Sequence, residues 1–71
     1  MDIANYRARM GARIRAAREQ RGVTLAELAL CTSLTADELA QVERGERSIG
    51  ALALLDIARA CNVEYMALLA D

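Results

Sequence analysis

The sequence contains no histidine, lysine, proline, tryptophan or phenylalanine, and it contains only two cysteines. Without histidine, the chain lacks the commonest general base and a common metal ligand. It also has no glycine-rich phosphate loop and no serine nucleophile with a partner base. We therefore expect no enzyme, and with it no catalytic residue, no metal site and no cofactor.

Long apolar segments are also missing. No apolar run approaches the roughly 18 residues of a membrane span, and the first residues do not resemble a signal peptide. We therefore expect a cytoplasmic protein without a membrane partner. The two cysteines, Cys31 and Cys61, form no CxxC pair, so both are interpreted as small buried hydrophobic residues.

The residues that are present favour helix. Of the 71 residues, 15 are alanine and 10 are leucine, which lose little on entering a helix. The hydrophobic fraction of 55% is higher than a disordered chain carries. The length predicts a single domain over residues 1–71.

The first predicted helix runs from about Ile3 to Arg21 and stops at Gly22, a residue that favours helix ends. Its apolar residues recur at steps of three and four, as on one face of a helix. These residues are Ile3, Tyr6, Met10, Ile14 and Ala17.

Two capping boxes predict the next two helix starts. Thr24 is followed three residues later by Glu27, and Thr35 is followed at the same spacing by Glu38. The first of these helices should end near Cys31, and the second should cover residues 36–44. Two short helices joined by a short turn predict a helix-turn-helix over about residues 24–44.

A fourth helix is predicted to begin after a cap at Ser48 and to end at Asn62, and a short fifth helix should follow. The fold class is thus all-α, with five short helices. The apolar positions shared by the helical stripes predict one core. Its members are Ile14, Leu28, Leu39, Val42, Leu55, Ile57, Ala58 and Leu68.

Four segments in order resemble the phage-repressor (Cro/C1, or Xre) helix-turn-helix family, over about residues 10 to 69. They begin at Gly11 (GARIRAAR), Gly22 (GVTLAELA), Val42 (VERG) and Leu54 (LLDIARA). The resemblance implies a lambda-repressor-like five-helix domain with residues 36–44 as its recognition helix. It also implies an ion pair between Arg18 of the first helix and Glu43.

The positions that read DNA in that family are poorly kept. Leu25 stands where members often have a glutamine that contacts phosphate. The start of the recognition helix carries Ala36 and acidic residues, and only Gln41 keeps a side chain that suits adenine. Residues 1–23 carry six arginines against two acids, a balance of +4, whereas residues 24–51 carry two against five, a balance of −3. The acids also have a structural interpretation, because carboxylates are favoured in the first turn of a helix.

Three functions follow as hypotheses. The first is a transcription regulator that binds another protein, such as an activator that it sequesters, through Leu25, Leu30, Ala36, Asp37, Glu38 and Ala40. The second is an operator-binding repressor or controller dimer, with duplex DNA contacted by Thr35, Gln41, Arg44, Arg47 and the arginines of the first helix. The third is the antitoxin partner of a toxin.

The last predicted helix carries more apolar residues in a row than one face can bury. These residues include Tyr65, Met66 and Leu69. Repressors of the family that the chain resembles commonly dimerise there, so we expect a weak homodimer through this helix.

Overall fold

Five helices make up the computed structural model, which describes residues 2–69. They are α1 (Ile3–Arg21), α2 (Leu25–Ala29), α3 (Ala36–Glu43), α4 (Ala51–Cys61) and α5 (Tyr65–Leu69). The predicted all-α class is confirmed, since these residues include no strand. Met1, Ala70 and Asp71, which belong to the predicted domain 1–71, lie outside the described residues.

Helix α1 has the predicted bounds. The Asp2 carboxylate accepts a hydrogen bond from the Ala4 amide at its start (3.0 Å), and Gly22 ends it with φ 72° in the left-handed region. Its predicted apolar stripe is buried from Met10 onward. Ile3 was expected on that stripe but is 68% exposed, so the buried stripe does not reach the first turn of α1.

Both capping boxes form as predicted. Thr24 Oγ1 accepts from the Glu27 amide at 3.0 Å, and the Glu27 carboxylate accepts from the Thr24 amide at 2.9 Å. The corresponding distances between Thr35 and Glu38 are 3.1 Å and 2.9 Å. The amide hydrogen bonds from the two threonines lower the pKa values of Glu27 and Glu38. Local sequence is therefore enough to start α2 and α3.

The ends of α2 and α3 differ slightly from the prediction. Helix α2 ends at Ala29, two residues before Cys31, and α3 ends at Glu43 with Arg44 as its C-cap. Cys31 consequently lies in the turn and is exposed, so its predicted burial was wrong. Cys61 is buried, and burial raises the pKa of its thiol.

The start and the buried face of α4 also correct the prediction. The N-cap is Gly50, which makes no side-chain cap, so the predicted cap at Ser48 was wrong. The chain needs two more residues before it turns into α4, and Ile49 packs against the core there. Leu54 is buried and Leu55 is only half-buried, so the core position assigned to Leu55 belongs to Leu54.

The core lies where α1 packs against α3, α4 and α5, and where α2 packs against α3. All other predicted core residues are buried. The observed core consists of Met10, Ile14, Ala17, Leu28, Leu39, Val42, Leu54, Ile57, Ala58, Cys61 and Leu68.

Gly11 marks the closest approach of α1 to α3. A Cβ atom at Gly11 would lie 2.5 Å from the carbonyl oxygen of Glu43 and closer still to that of Val42. No side chain fits in that space, so glycine is what allows the two backbones to pack this tightly. This contact sets the position of α3 against α1.

Candidate interaction site

A bidentate ion pair between Arg18 of α1 and Glu43 of α3 holds the helix-turn-helix on α1. Arg18 Nε lies 2.7 Å from Glu43 Oε2, and Arg18 Nη2 lies 3.1 Å from Oε1. The third guanidinium nitrogen, Nη1, donates to the Val23 carbonyl at 2.9 Å. The side chains of Arg18 and Glu43 are only 13% and 7% exposed, and the hydrogen bond to Glu43 raises the pKa of Arg18. The two residues thus meet as the family resemblance implies.

The outer face of α3 is the side turned away from the buried Leu39 and Val42. Successive residues of a helix are about 100° apart, which determines the residues of this face. They are Asp37, Ala40, Gln41 and Arg44, flanked by Ala36. Asp37 and Arg44 are exposed, and the alanines and Gln41 are half-buried. The face therefore presents small, acidic and amide side chains with one arginine.

Both cations of residues 24–51 contact acidic residues of the same segment. Arg44 donates two hydrogen bonds to Glu46, at 3.0 and 3.1 Å, which raise the pKa of Arg44 and lower that of Glu46. Arg47 Nη2 lies 3.4 Å from Glu38 Oε2, and Arg47 Nε donates to Gln41 Oε1 at 3.0 Å. Each positive charge near the outer face of α3 is thus balanced by a neighbouring carboxylate.

Two further residues proposed for DNA or protein contact, Thr35 and Glu38, also have structural partners. The Thr35 hydroxyl and the Glu38 carboxylate hold the capping box of α3. These two groups therefore stabilise the helix start whatever the helix binds.

Leu25 and Leu30, which were both proposed for protein contact, differ in exposure. Leu25 is half-buried against the core, and with Ala40 and Arg44 it lines a depression of about 230 Å³ beside Arg18. Leu30 is 88% exposed at the end of α2 and is not among the described residues that line this depression. Leu25 therefore offers a partner less apolar surface than Leu30 does.

The residues assigned to dimerisation lie in different environments. Met66 is 64% exposed, whereas Tyr65 and Leu69 are half-buried. Tyr65 also lines a shallow apolar depression of about 290 Å³ with Leu52 and Leu55 of α4. Leu52 is 80% exposed. The exposed apolar surface near α5 thus extends onto α4.

Residues 2–69 contain neither a cluster of metal-ligating side chains nor a membrane-spanning helix. No three metal-ligating side chains are grouped closely enough to hold an ion. None of the helices combines the length and apolarity that crossing a membrane requires.

Comparison with known proteins identifies the family to which this fold belongs. The sequence profile of the HTH_3 helix-turn-helix family matches residues 14–68, well over half of the chain. A comparison with curated protein sequences gave no significant match.

Among solved structures, the restriction-modification controller protein C.AhdI from Aeromonas hydrophila superimposes with a TM-score of 0.88 and 28% identity, over 96% of this chain and 99% of that one. The clp gene regulator ClgR from Corynebacterium glutamicum gives 0.86 and 30%, over 90% and 68%. An HTH_3 family transcriptional regulator from Vibrio cholerae gives 0.83 and 25%, over 94% and 38%. These neighbours are regulators by name, and none is named as an enzyme. The chain therefore belongs to the Cro/C1-type helix-turn-helix (HTH_3) family of transcription regulators, as the resemblance of its sequence segments implied.

Proposed function

We propose that this helix-turn-helix regulator acts mainly by binding another protein, for example by sequestering a transcriptional activator. The observation that carries the proposal is the internal pairing of Arg44 with Glu46 and of Arg47 with Glu38. Residues 24–51 have a formal balance of −3, or −2 once buried Glu43 is paired with Arg18 of α1, so the segment as a whole disfavours a polyanion. Duplex DNA draws most of its non-specific affinity from cation contacts to phosphate, and this segment offers few of them.

Base reading is also weakened by the contacts of Gln41. A glutamine reads adenine with its amide oxygen and its amide nitrogen together. Here the oxygen of Gln41 already accepts a hydrogen bond from Arg47. DNA recognition through Gln41 would have to share this oxygen between Arg47 and adenine, which restricts the orientation of the amide.

A protein partner finds complementary chemistry on the same surface. Leu30 is a single exposed apolar anchor at the end of α2, and the small side chains of Ala36 and Ala40 allow close approach. Asp37 adds a charge that would pair with a basic residue of the partner. We therefore assign the partner-binding residues to Leu30 and the outer face of α3, with half-buried Leu25 and Glu38 at the edges of that face.

The test combines a screen for DNA with a screen for proteins. Genomic fragments from the source organism are selected on the purified chain at 150 mM salt, and a genomic two-hybrid library is screened in parallel. We expect no enriched DNA sequence and at least one protein that binds the purified chain directly. Enrichment of fragments around one operator would overturn the proposal.

Two matched variants then locate the protein-binding surface. Leu30→Gln removes an exposed leucine next to α3, and Leu52→Gln removes a similarly exposed leucine from α4. We expect Leu30→Gln to weaken the partner complex at least tenfold and Leu52→Gln to change it less than twofold. If both variants weakened the complex equally, the partner would not bind through Leu30 and the outer face of α3.

The second candidate is an operator-binding dimer. It is favoured by the likeness to the controller protein C.AhdI over nearly the whole length of both chains. Its DNA contacts would come from Thr35, Gln41, Arg44 and Arg47, after their internal bonds had rearranged. In this case Gln41→Ala should abolish operator binding, and Arg44→Ala should reduce its salt dependence.

A weak homodimer is proposed under either function. Exposed Met66 and Leu52, with half-buried Tyr65 and Leu69, form an apolar surface around α5. Sedimentation equilibrium should show a dimer at high concentration that Met66→Gln weakens. A monomer at millimolar concentration would remove this proposal and also weaken the operator-binding candidate, which needs two-fold symmetry.

A further inference from the structure

The depression of about 230 Å³ beside Arg18 is positively charged, although it adjoins the acidic outer face of α3. It lies where α1, α2 and α3 meet, and its lining residues are Arg15, Arg18, Leu25, Ala40, Glu43 and Arg44. Three arginines against one glutamate give the lining a formal balance of +2, whereas residues 24–51 together have a formal balance of −3. At this place the helix-turn-helix therefore attracts an anion.

The accessible charge of the depression comes from Arg15 and Arg44. Arg18 is neutralised inside the fold, since its three guanidinium nitrogens donate two hydrogen bonds to Glu43 and one to the Val23 carbonyl. The side chains of Arg15 and Arg44 are 63% and 57% exposed, so a partner can reach both. Arg15 thus adds a residue of α1 to a contact face that otherwise consists of α2 and α3.

The carboxylates that already contact Arg15 and Arg44 leave both arginines able to bind another one. Arg15 Nε donates to Glu19 at 3.2 Å, and Arg44 donates to Glu46 from Nε and Nη2 at 3.0 and 3.1 Å. Both glutamates are 56% exposed, and ion pairs in water contribute little. Within residues 2–69 these contacts leave the two terminal nitrogens of Arg15 and one of Arg44 without an acceptor.

The size and the apolar residues of the depression favour one acidic side chain as its ligand. Its volume is below the range of about 300–1,000 Å³ that small-molecule sites occupy, so it suits a single protruding side chain. Half-buried Leu25 and Ala40 offer apolar surface to the methylene groups of such a side chain. A DNA strand is a poorer match, because its further phosphates would meet the acidic residues of the same segment.

We propose that the protein partner inserts a glutamate or aspartate side chain into this depression, an inference that rests on the protein-binding function proposed above. The carboxylate pairs with Arg15 and Arg44, and its contact with them strengthens as the partner excludes water. The partner then carries an acidic residue opposite the depression and a basic residue opposite Asp37. This order of charges distinguishes it from proteins with a uniformly acidic or basic surface.

The test uses the protein fragment that the unmodified, full-length chain recovers from the genomic two-hybrid library. Isothermal titration calorimetry measures its affinity for the unmodified chain and for Arg15→Glu, Arg44→Glu and Arg59→Glu. Arg59 is exposed on α4 and is not a lining residue, so Arg59→Glu is the control for the same change of charge. We expect Arg15→Glu and Arg44→Glu to weaken binding at least tenfold and Arg59→Glu to change it less than threefold. Arg15→Gln is the milder variant if Arg15→Glu, which places two glutamates four residues apart, does not fold.

Charge reversal in the fragment then identifies the acidic side chain. Each aspartate and glutamate of the fragment is replaced by arginine, and each variant is titrated against the unmodified chain and against Arg15→Glu. We expect one replacement to weaken binding to the unmodified chain and to strengthen binding to Arg15→Glu at least fivefold.

Three results would overturn the proposal and separate it from the proposed function. If the fragment binds Arg15→Glu as tightly as Arg59→Glu, the partner does not use the depression, although the chain still binds a protein. If Arg15→Glu weakens binding but no charge reversal in the fragment restores it, Arg15 contacts something other than a carboxylate. If no fragment binds the chain directly, the proposed function fails together with this site, and a loss of operator binding in Arg15→Glu would assign the depression to a DNA phosphate.

Discussion

Breaking the ion pair between Arg18 and Glu43 from one side should cost more stability than removing both partners. The perturbations are Arg18→Met, Glu43→Leu and the double variant, which keep roughly the volume of the buried side chains. Each single change leaves the other charge in a site that is 13% or 7% exposed. Breaking a buried pair in this way costs about 3–5 kcal/mol, whereas replacing both partners by apolar residues is often nearly neutral.

The structure adds an asymmetry between the two single variants. Arg18 also donates to the Val23 carbonyl, so Arg18→Met leaves that acceptor without its partner. A lost hydrogen bond of this kind costs about 0.5–1.5 kcal/mol more. We therefore expect Arg18→Met to be less stable than Glu43→Leu, and the double variant to retain the cost at Val23. The coupling energy between the two positions should be at least about 2 kcal/mol.

Urea unfolding followed by far-ultraviolet circular dichroism measures these differences. A chain of this size is expected to have a stability of roughly 4–11 kcal/mol, so Glu43→Gln provides a milder variant if Glu43→Leu does not fold. The exposed pair of Arg15 with Glu19, at 3.2 Å, serves as a control whose coupling should be about 0.3–0.5 kcal/mol. Additive losses at Arg18 and Glu43 would refute the argument, because they would mean that the two charges do not depend on each other.

Three further predictions concern the core, the helix contact and the helix caps. Leu39→Ala should destabilise by about 2–5 kcal/mol in urea unfolding, whereas Leu30→Ala should change the midpoint little, since Leu30 is exposed. Gly11→Ala should lower the free energy of unfolding by about 1–3 kcal/mol or more, because the added Cβ atom would collide with backbone carbonyls of α3. The pKa values of Glu27 and Glu38 lie below their ordinary value of 4.5 in the folded chain, so their contribution is present above that pH and is lost as pH falls through the folded values. The variant Glu27→Gln/Glu38→Gln should therefore be less stable than the unmodified chain at pH 7, with a difference that shrinks in thermal melts as the pH is lowered toward 3.

Features that depend on neighbouring residues could be predicted from the sequence. The starts of α2 and α3 follow from capping boxes, in which a threonine and a glutamate satisfy each other's amides within four residues. The start of α4 could not be predicted in this way, because packing of Ile49 on the core, rather than a side-chain cap at Ser48, decides where the chain turns. Leu54 could have been identified from the sequence in place of Leu55, because it stands three, four and seven residues before the other buried residues of α4, which is the spacing of one helix face.

The candidate site was predictable in composition but not in its contacts. The acidic character of α3 follows from the charges of residues 24–51. The contacts of Arg47 with Glu38 and Gln41 arise only because the chain turns back after Gly45, whose φ is 76°.

Glu43 is attached to α1 at two places, and this has a consequence for binding. Its carbonyl packs over Gly11 and its carboxylate pairs with Arg18, seven residues or about 10 Å further along the α1 axis. An attachment at two separated points prevents α3 from sliding or rotating on α1. The acidic face of α3 and the arginines of α1 are therefore presented to a partner in a fixed relative orientation before contact. Association through these surfaces would lose little conformational entropy, so even a small interface could hold its partner firmly.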